Sequence, residues 1–414
     1  MNVAIVSAVR TAIGNFGGTL RNVPAYDLAA LVLNEVIRRA GVAPDSVNMV
    51  LMAQNYQSGE YVNIARMGLL KAGWPVEIVG MTVDRRCPSS LDALCLGTMI
   101  IQSGNAEVVV AGGVESMSTA EFYVKGDIRW GIGGSSDMAK GHGSASSFGL
   151  PLYDRSLRGR VMSQPEERFG IIPSMVAWAE AGAKEYAISR READEWALES
   201  HRRAVAAMNS GKFDAEIIGL PVPQAKGPQL LFSRDEHPRA DTTFEALSRL
   251  RPVMGGVCTA GNSCGENDGA SAVVLMSEAK AAELGIKPMA FVKSFAFAGA
   301  DPRHAYRSST AAARMTLQKA GLALSDFDLI EIHEAFSAQF LANCRELELA
   351  EKDYPRINVN GSCVALGHPL GATGTRIATT LLHEMGRRDS RYGLISICGG
   401  GGMGASAILE RPPS

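Results

Sequence analysis

The sequence predicts a layered α/β fold built twice, with a long segment inserted into the first copy. Three observations carry that expectation. Short apolar runs rich in Val and Ile alternate with amphipathic stretches of helical spacing, the pattern of strands covered by helices. Two pairs of segments echo one another in the same order: "RRAGVAPDSVNMVLMA" (38–53) with "QKAGLALSDFDLIEIHEA" (318–335), and "DGASAVVLM" (268–276) with "MGASAILE" (403–410). In the second copy a few residues separate "ICGG" from "GASA", whereas in the first "VVAGG" and "GASA" lie about 150 residues apart.

Each element has a local reason. Strands are expected at 3–9, 47–53, 106–113, 271–277, 289–295, 328–334, 393–400 and 405–410, all apolar and bounded by turn residues. A helix over 26–41 stops on Gly41, which takes the left-handed conformation a C-terminus favours. A second begins at Pro88, suited to a first helical position because its missing N–H costs nothing there, and runs along Leu91, Leu94, Cys95, Met99 and Ile100 to Gly104. The inserted segment holds Gly-rich loops (129–149) and a helix within 189–211 that Ser189 caps. The domains expected are therefore 1–117 with 252–277, an inserted loop domain at 118–251, and 278–414.

Bulk properties narrow the function. A chain of 414 residues exceeds one ordinary core, and 46% hydrophobic with 20% charged residues is a normal globular balance. A formal net charge of −2 argues against binding nucleic acid through a basic surface. The longest apolar runs, such as "YGLISICGGG", are too short to span a bilayer, so no membrane insertion is expected. The start "MNVAIVSAVRTAIG" reads as a strand entering a turn, not a signal peptide. Seven cysteines (87, 95, 258, 264, 344, 363, 398) show no zinc or disulfide spacing, so free thiols and a cytoplasmic setting are expected, with no metal.

Five segments can carry chemistry. In "DRRCPSSLDAL" (84–94), Cys87 precedes a helix start, where unpaired N–H groups favour a thiolate and hence a nucleophile. Read alone, it is equally a small buried residue. In "HEAFSAQF" (333–340), a zinc-protease motif would need a second His at 337, which is Ser. What remains is a histidine beside a capped helix. His368, in "NVNGSCVALGHPLGATGTR" (358–376), stands before a small-residue helix as a base aimed into a cleft or as a loop residue. "CGGGGMG" (398–404) is no dinucleotide loop, since "GASAILE" returns as a strand; its glycines suit backbone N–H groups aimed at a ligand, with Cys398 at the entrance. The loop "GGVCTAGNSCGENDGASA" (255–272) suits the wall of a narrow tunnel.

Two cysteines, two histidines and glycine-lined turns at equivalent ends of two repeated halves resemble the thiolase family. The resemblance spans the whole length. It includes "AVRTAIGNFGG" (8–18), the Cys87 segment, "GGVESMS" (112–118), "PRADTTFEALSRLRP" (238–252), "TAGNSCGENDGA" (259–270), "HEAFSAQ", "NGSCVALGHPLGATG" and "CGGGGMG". It implies two βαβαβαββ-type halves in five α-β-α-β-α layers around an inserted loop domain. It also implies thiolytic cleavage of a 3-ketoacyl-CoA to acetyl-CoA and a shortened acyl-CoA, reversible as a Claisen condensation. Coenzyme A is then a co-substrate, and no cofactor is bound permanently.

By the same resemblance Cys87 takes the acyl group, His368 activates it, and Cys398 moves the proton at the substrate α-carbon. His333 and His368 serve the thioester enolate oxygen, and the backbone N–H groups of Cys87 and Gly400 serve the tetrahedral adduct. Phe336, Ala260 and Cys264 belong to the acyl or pantetheine wall, and Met175 and Arg239 contact CoA. A homodimer or homotetramer is implied.

The chain departs from the family's common pattern at Asp84, Arg86, Pro88 and Ser90 around the nucleophile, at Cys264, and at "NGSC". His333, in place of a common Asn, leans toward enzymes of longer or unusual acyl chains over a dedicated acetoacetyl-CoA-forming acetyl-CoA C-acetyltransferase. A condensing enzyme of the ketoacyl-synthase type lacks the second cysteine, so Cys398 speaks against it. A non-catalytic acyl-CoA-binding relative would be favoured by losing one of the four chemical residues, and none is lost.

Overall fold

A computed structural model describes residues 1–126, 151–223 and 228–412; the Gly-rich stretch at 129–149 lies outside the described residues. The first copy runs β1 (Val3–Thr11), α1 (Ala25–Ala40), β2 (Met49–Ala53), α2 (Ile64–Lys71), β3 (Val79–Val83), α3 (Ser89–Gln102) and β4 (Val108–Ser116). The chain then forms α4 (Arg155–Val161), α5 (Met175–Glu185) and α6 (Arg190–Asn209) before returning as β5 (Asn267–Ser277). The second copy runs β6 (Ala290–Gly299), α7 (Arg307–Ala320), β7 (Leu329–Ile332), α8 (Ser337–Glu346), α9 (Cys363–Leu366), α10 (Thr373–Arg388), β8 (Tyr392–Gly399) and β9 (Met403–Glu410).

The two copies match in detail. Helices α1 and α7 both end on a left-handed glycine, Gly41 (φ 68°) and Gly321 (φ 66°), whose N–H bonds carbonyls of the preceding turn. β4 and β5 pair antiparallel, as do β8 and β9. The full strand order is β7-β8-β9-β6-β1-β5-β4-β2-β3, and the two half-sheets join only where Ala4 and Ile5 of β1 pair with Phe291 and Ala290 of β6. The edge strand β3 has no full counterpart in the second copy; an isolated bridge between Ile330 and Ile357 stands there.

Alternation along the buried strands sorts the chain into layers. Val108 and Val110 of β4 face Val32, Leu33 and Val36 of α1, while Val109 and Ala111 face the middle of the molecule. There α3 (Leu91, Leu94) and α10 (Ile377, Leu381) pack between the half-sheets, which contribute Val273, Leu275, Ile395 and Ala407. On the far side, Ala313 and Leu317 of α7 and Phe340 and Leu341 of α8 cover Ile330, Leu394 and Ile408. The order is helix, sheet, helix, sheet, helix. The middle helices cross closely: a Cβ at Gly374 would lie 2.2 Å from the Leu91 backbone nitrogen. Among the described residues no helix is long and apolar enough to cross a membrane.

Candidate active site

Cys87 stands at the entrance to the middle layer. Helix α3 begins at Ser89, one residue later than the sequence reading places it, and Pro88 (φ −79°, ψ −3°) leads into it. The residue before the thiol, Arg86, takes the left-handed region (φ 62°), a strained choice for a side chain of that size. Two polar groups hold the turn. The Asp84 carboxylate accepts from the Arg86 N–H at 3.1 Å and from Asn55 Nδ2 at 2.7 Å. Ser89 Oγ accepts from the Arg85 N–H at 2.6 Å and donates to the Arg86 carbonyl. Arg85 ties the turn to both copies through Asp92 of α3 (3.1 Å), the Gly404 carbonyl of β9 (3.1 Å) and the Phe297 ring (4.8 Å).

The departures around the nucleophile are accommodated. Ser90 Oγ accepts from the Thr375 N–H at 3.0 Å, linking α3 to α10. Room for this contact comes from Gly113, where an added Cβ would fall 2.8 Å from the Ser90 Cβ and 1.9 Å from the Gly371 carbonyl oxygen.

Cys87 is half-buried and lines a cavity of about 230 Å³ with His368, Gly400, Met175, Phe336, Ala260 and Cys264. Thus seven of the ten sequence-predicted site residues share one cavity. The 255–272 loop is stitched to both histidine segments. Ser263 bridges Phe336, Glu266 bridges His368, the Cys264 N–H donates to the Ala335 carbonyl at 3.0 Å, and the His368 N–H donates to Asn267 Oδ1 at 2.9 Å.

His333 and Cys398 sit behind that wall, at 0% and 1% exposure, and do not line the cavity. They touch each other, Cys398 Sγ to His333 Nδ1 at 3.6 Å. The His333 and His368 ring centroids are 4.5 Å apart. Arg239 lines an adjoining cavity of about 270 Å³ with His201 and His237, which meets the first through Ala260 and Ser263.

The His368 tautomer follows from its neighbour. Thr373 Oγ1 gives its single hydrogen to the Pro369 carbonyl at 3.0 Å, so it accepts from His368 Nδ1–H at 2.7 Å. That leaves Nε2 as a lone pair, and this buried atom has no partner among the described residues. His333 Nε2 is likewise unpartnered. The roles in the Cys398 Sγ–His333 Nδ1 contact depend on the His333 tautomer, and only the tautomer with its hydrogen on Nε2 offers a donor beside the His368 base.

Burial governs the charges. It pushes the Cys87 thiol up to about 11, against the backbone N–H groups of Gly400 and of Cys87 itself and the nearby Arg86, all of which favour the thiolate. Burial also raises Cys398 well above the ordinary thiol range, with the neighbouring Cys87 adding to it. His333 is lowered to about 3 by burial and the Arg376 guanidinium, and His368 is lowered by burial, by His333 and by Arg376. The resting site is therefore two neutral thiols beside two neutral imidazoles. This corrects the expectation that the helix N-terminus alone yields a thiolate at Cys87: desolvation outweighs it.

Ligand atoms of His333, Cys363 and His368 lie within 4.8 Å of one another, a spacing a metal ion could use. However, Arg376 Nη2 donates to Cys363 Sγ at 2.9 Å, and that guanidinium opposes a cation there. No metal role is assigned.

Four contributors escape a reading of residue types. Thr373 accepts from His368 Nδ1–H, and Arg376 adds to the burial that keeps both imidazoles neutral. Glu334 accepts from Trp196 (3.0 Å), Ser200 (2.8 Å) and Asn358 (2.8 Å), anchoring the turn that carries His333. Trp178 packs edge-on against Phe336, with ring centroids 5.4 Å apart. Glu334, Thr373 and Arg376 had a signal, each lying in a quoted segment that also holds one of the histidines.

Comparisons with known proteins show the family. The thiolase N-terminal domain family matches residues 3–279, and the thiolase C-terminal domain family matches 286–411. The chain is 42% identical to an acetyl-CoA acetyltransferase of Cupriavidus necator over 99% of both chains. It is 43% identical to one of Escherichia coli, again over 99% of each. Among solved structures, the Bacillus anthracis acetyl-CoA acetyltransferase superimposes with TM-score 0.90 at 41% identity, over 99% of this chain and 98% of that one. Human mitochondrial 3-ketoacyl-CoA thiolase gives 0.90 at 34% identity, over 99% of both.

Proposed function

The chain belongs to the thiolase family and is an acyltransferase; from that premise we propose how its own residues perform CoA-dependent cleavage of a 3-ketoacyl-CoA. The observation that carries the proposal is the cavity in which Cys87, His368 and Gly400 meet.

Cys87 sulfur attacks the ketone carbon, and its proton passes to His368 Nε2, the atom Thr373 leaves free. Because the thiol is raised and the imidazole lowered, a separated thiolate–imidazolium pair is uphill, and proton transfer goes with bond formation. The alkoxide so formed takes the N–H groups of Cys87 and Gly400 that favour the thiolate in the empty site. The bond between C2 and C3 then breaks, and the acetyl-CoA enolate oxygen faces His333 Nε2–H and the newly protonated His368. Cys398 is 1% exposed, just behind the cavity wall and close enough to Cys87 to feel its charge. It gives its proton to C2 once the bound ester presses C2 against that wall, and becomes a thiolate. In the second half, Cys398 takes the proton of the incoming CoA thiol. The CoA sulfur attacks the Cys87 thioester, and Cys87 leaves with the proton returned by His368. All groups end as they began. Run backwards, the steps condense two acyl-CoA molecules.

CoA approaches along the cavity that Arg239 lines, where a cation offsets phosphate charge. A second reading, formation of acetoacetyl-CoA from two acetyl-CoA, is favoured by the names of the relatives above. We place the enzyme in the cytoplasm as a homo-oligomer, in keeping with its unpaired cysteines.

The test is acetyl-CoA release from 3-ketoacyl-CoA substrates of several chain lengths in the presence of CoA. Wild type is expected to turn over at least one length, with Cys87→Ala inactive and Cys398→Ala slowed by about 10²–10⁴-fold, the range for losing a general acid. Cys87→Ala at full activity would overturn the mechanism, and acyl-CoA binding without cleavage would indicate a non-catalytic relative.

A further inference from the structure

A second cleft of about 520 Å³ adjoins the thiol cavity, with Tyr56, Arg86 and Gly159 lining both. It lies apart from the cavity of Arg239, which shares Ala260 and Ser263 with the thiol cavity. We infer that the cleft receives a negatively charged end of the acyl chain, so that the preferred substrate is a 3-ketoacyl-CoA bearing a terminal carboxylate. The inference rests on the thiolase reading above and names its substrate class.

Charge is the first argument. The cleft wall holds three guanidinium groups, Arg86, Arg155 and Arg158, against one carboxylate, Asp84. Arg155 lies 3.9 Å from Glu121, and Asp84 is already held by Asn55 and the Arg86 N–H. Arg86 and Arg158 remain. The Arg86 side chain makes no hydrogen bond or ion pair among the described residues, and Arg158 Nε is buried without an acceptor while its guanidinium stacks on the Tyr153 ring at 5.1 Å. A guanidinium has five donors and no acceptor, so such groups at a cavity wall call for an anion, and a carboxylate fits their fork.

Position is the second argument. Arg86 is the neighbour of the nucleophile, held by its left-handed turn, and an acyl group on Cys87 needs only a few carbons to reach it. The same cavity wall holds apolar side chains, Met117, Leu370 and Phe336, which suit methylenes. The other basic residue of the thiol cavity, Arg160, is paired with Glu266 and adds no net charge. The cavity thus joins an apolar middle to a cationic end.

The test compares 3-oxoadipyl-CoA with 3-oxohexanoyl-CoA, equal in carbon number, on wild type, Arg86→Gln and Arg158→Gln. Wild type is expected to favour the carboxylated substrate by at least about tenfold in kcat/KM, the worth of one charge-assisted pair. The ratio falls toward one in Arg86→Gln, falls in Arg158→Gln, which leaves the turn before Cys87 intact, and shrinks with added salt. Dissociation constants of adipoyl-CoA and hexanoyl-CoA, read from tryptophan fluorescence, give the same ranking without catalysis. Equal or better use of the neutral substrate, or equal binding of the two esters, overturns the inference. If neither is cleaved while another 3-ketoacyl-CoA is, this inference fails and the thiolase reading stands; if no 3-ketoacyl-CoA is cleaved, that reading fails and the binding ratio still decides this one.

Discussion

Burial pushes the Cys87 thiol up to about 11, so at pH 7 about one thiol in ten thousand is ionised. A free site with so little thiolate reacts slowly with simple electrophiles and waits for a substrate whose oxygen takes up the N–H groups of Cys87 and Gly400. Alkylation of Cys87 by iodoacetamide should therefore rise about tenfold per pH unit from pH 7 to 9, followed by mass spectrometry of its peptide. A plateau below pH 8 would contradict the direction of the shift. At this scale Cys87, His368 and Cys398 could be picked out because each stands beside a glycine- or proline-marked turn, and His333 because it directly follows a buried strand. Their charge states were not. The depressed imidazoles depend on burial and on Arg376, and the lack of a side-chain partner for Arg86 among the described residues depends on which groups the fold brings near it.

Elements with a continuous apolar run were legible, and the strands along β1, β4, β5, β8 and β9 follow the sequence reading with ends shifted by a few residues. Strand β3 escaped, because its residues alternate exposed and half-exposed and its place is set by pairing with β2. Helices α2 and α5 escaped too, being short with weak apolar faces. Where α6 ends and the chain returns toward β5, a buried ion cluster locks it to the first copy. Arg10 of β1, with no exposure, bonds Glu216 at 2.6 Å and Asp235 at 2.7 and 3.0 Å. Asp235→Asn leaves that guanidinium half-compensated in the interior, and we expect a stability loss of about 3–5 kcal/mol. Denaturant unfolding of the variant checks this, and a loss under about 1 kcal/mol would show that the cluster is not what fixes the segment.

Among the described residues, the long sheet of the molecule ends on one side in an exposed strand. Strand β3 ends the sheet with Val79 and Met81 at 52% and 47% exposure, an unpaired edge that proteins cover or disfavour. A second copy pairing there is the expected cover, and Met81→Arg should shift the sedimentation coefficient toward that of a smaller species; an unchanged oligomer would place the interface elsewhere. At the other end of the scale, the duplication puts Cys87 and the Gly400 turn, from different copies, on one cavity, so the chemistry depends on the halves staying closed on each other. The most direct measurement is intact-protein and peptide mass spectrometry after mixing the enzyme with a 3-ketoacyl-CoA in the absence of free CoA. The shortened acyl group should appear on Cys87, disappear when CoA is added, and be missing in Cys87→Ala. An acyl group on another residue, or turnover with Cys87 never modified, would contradict the account.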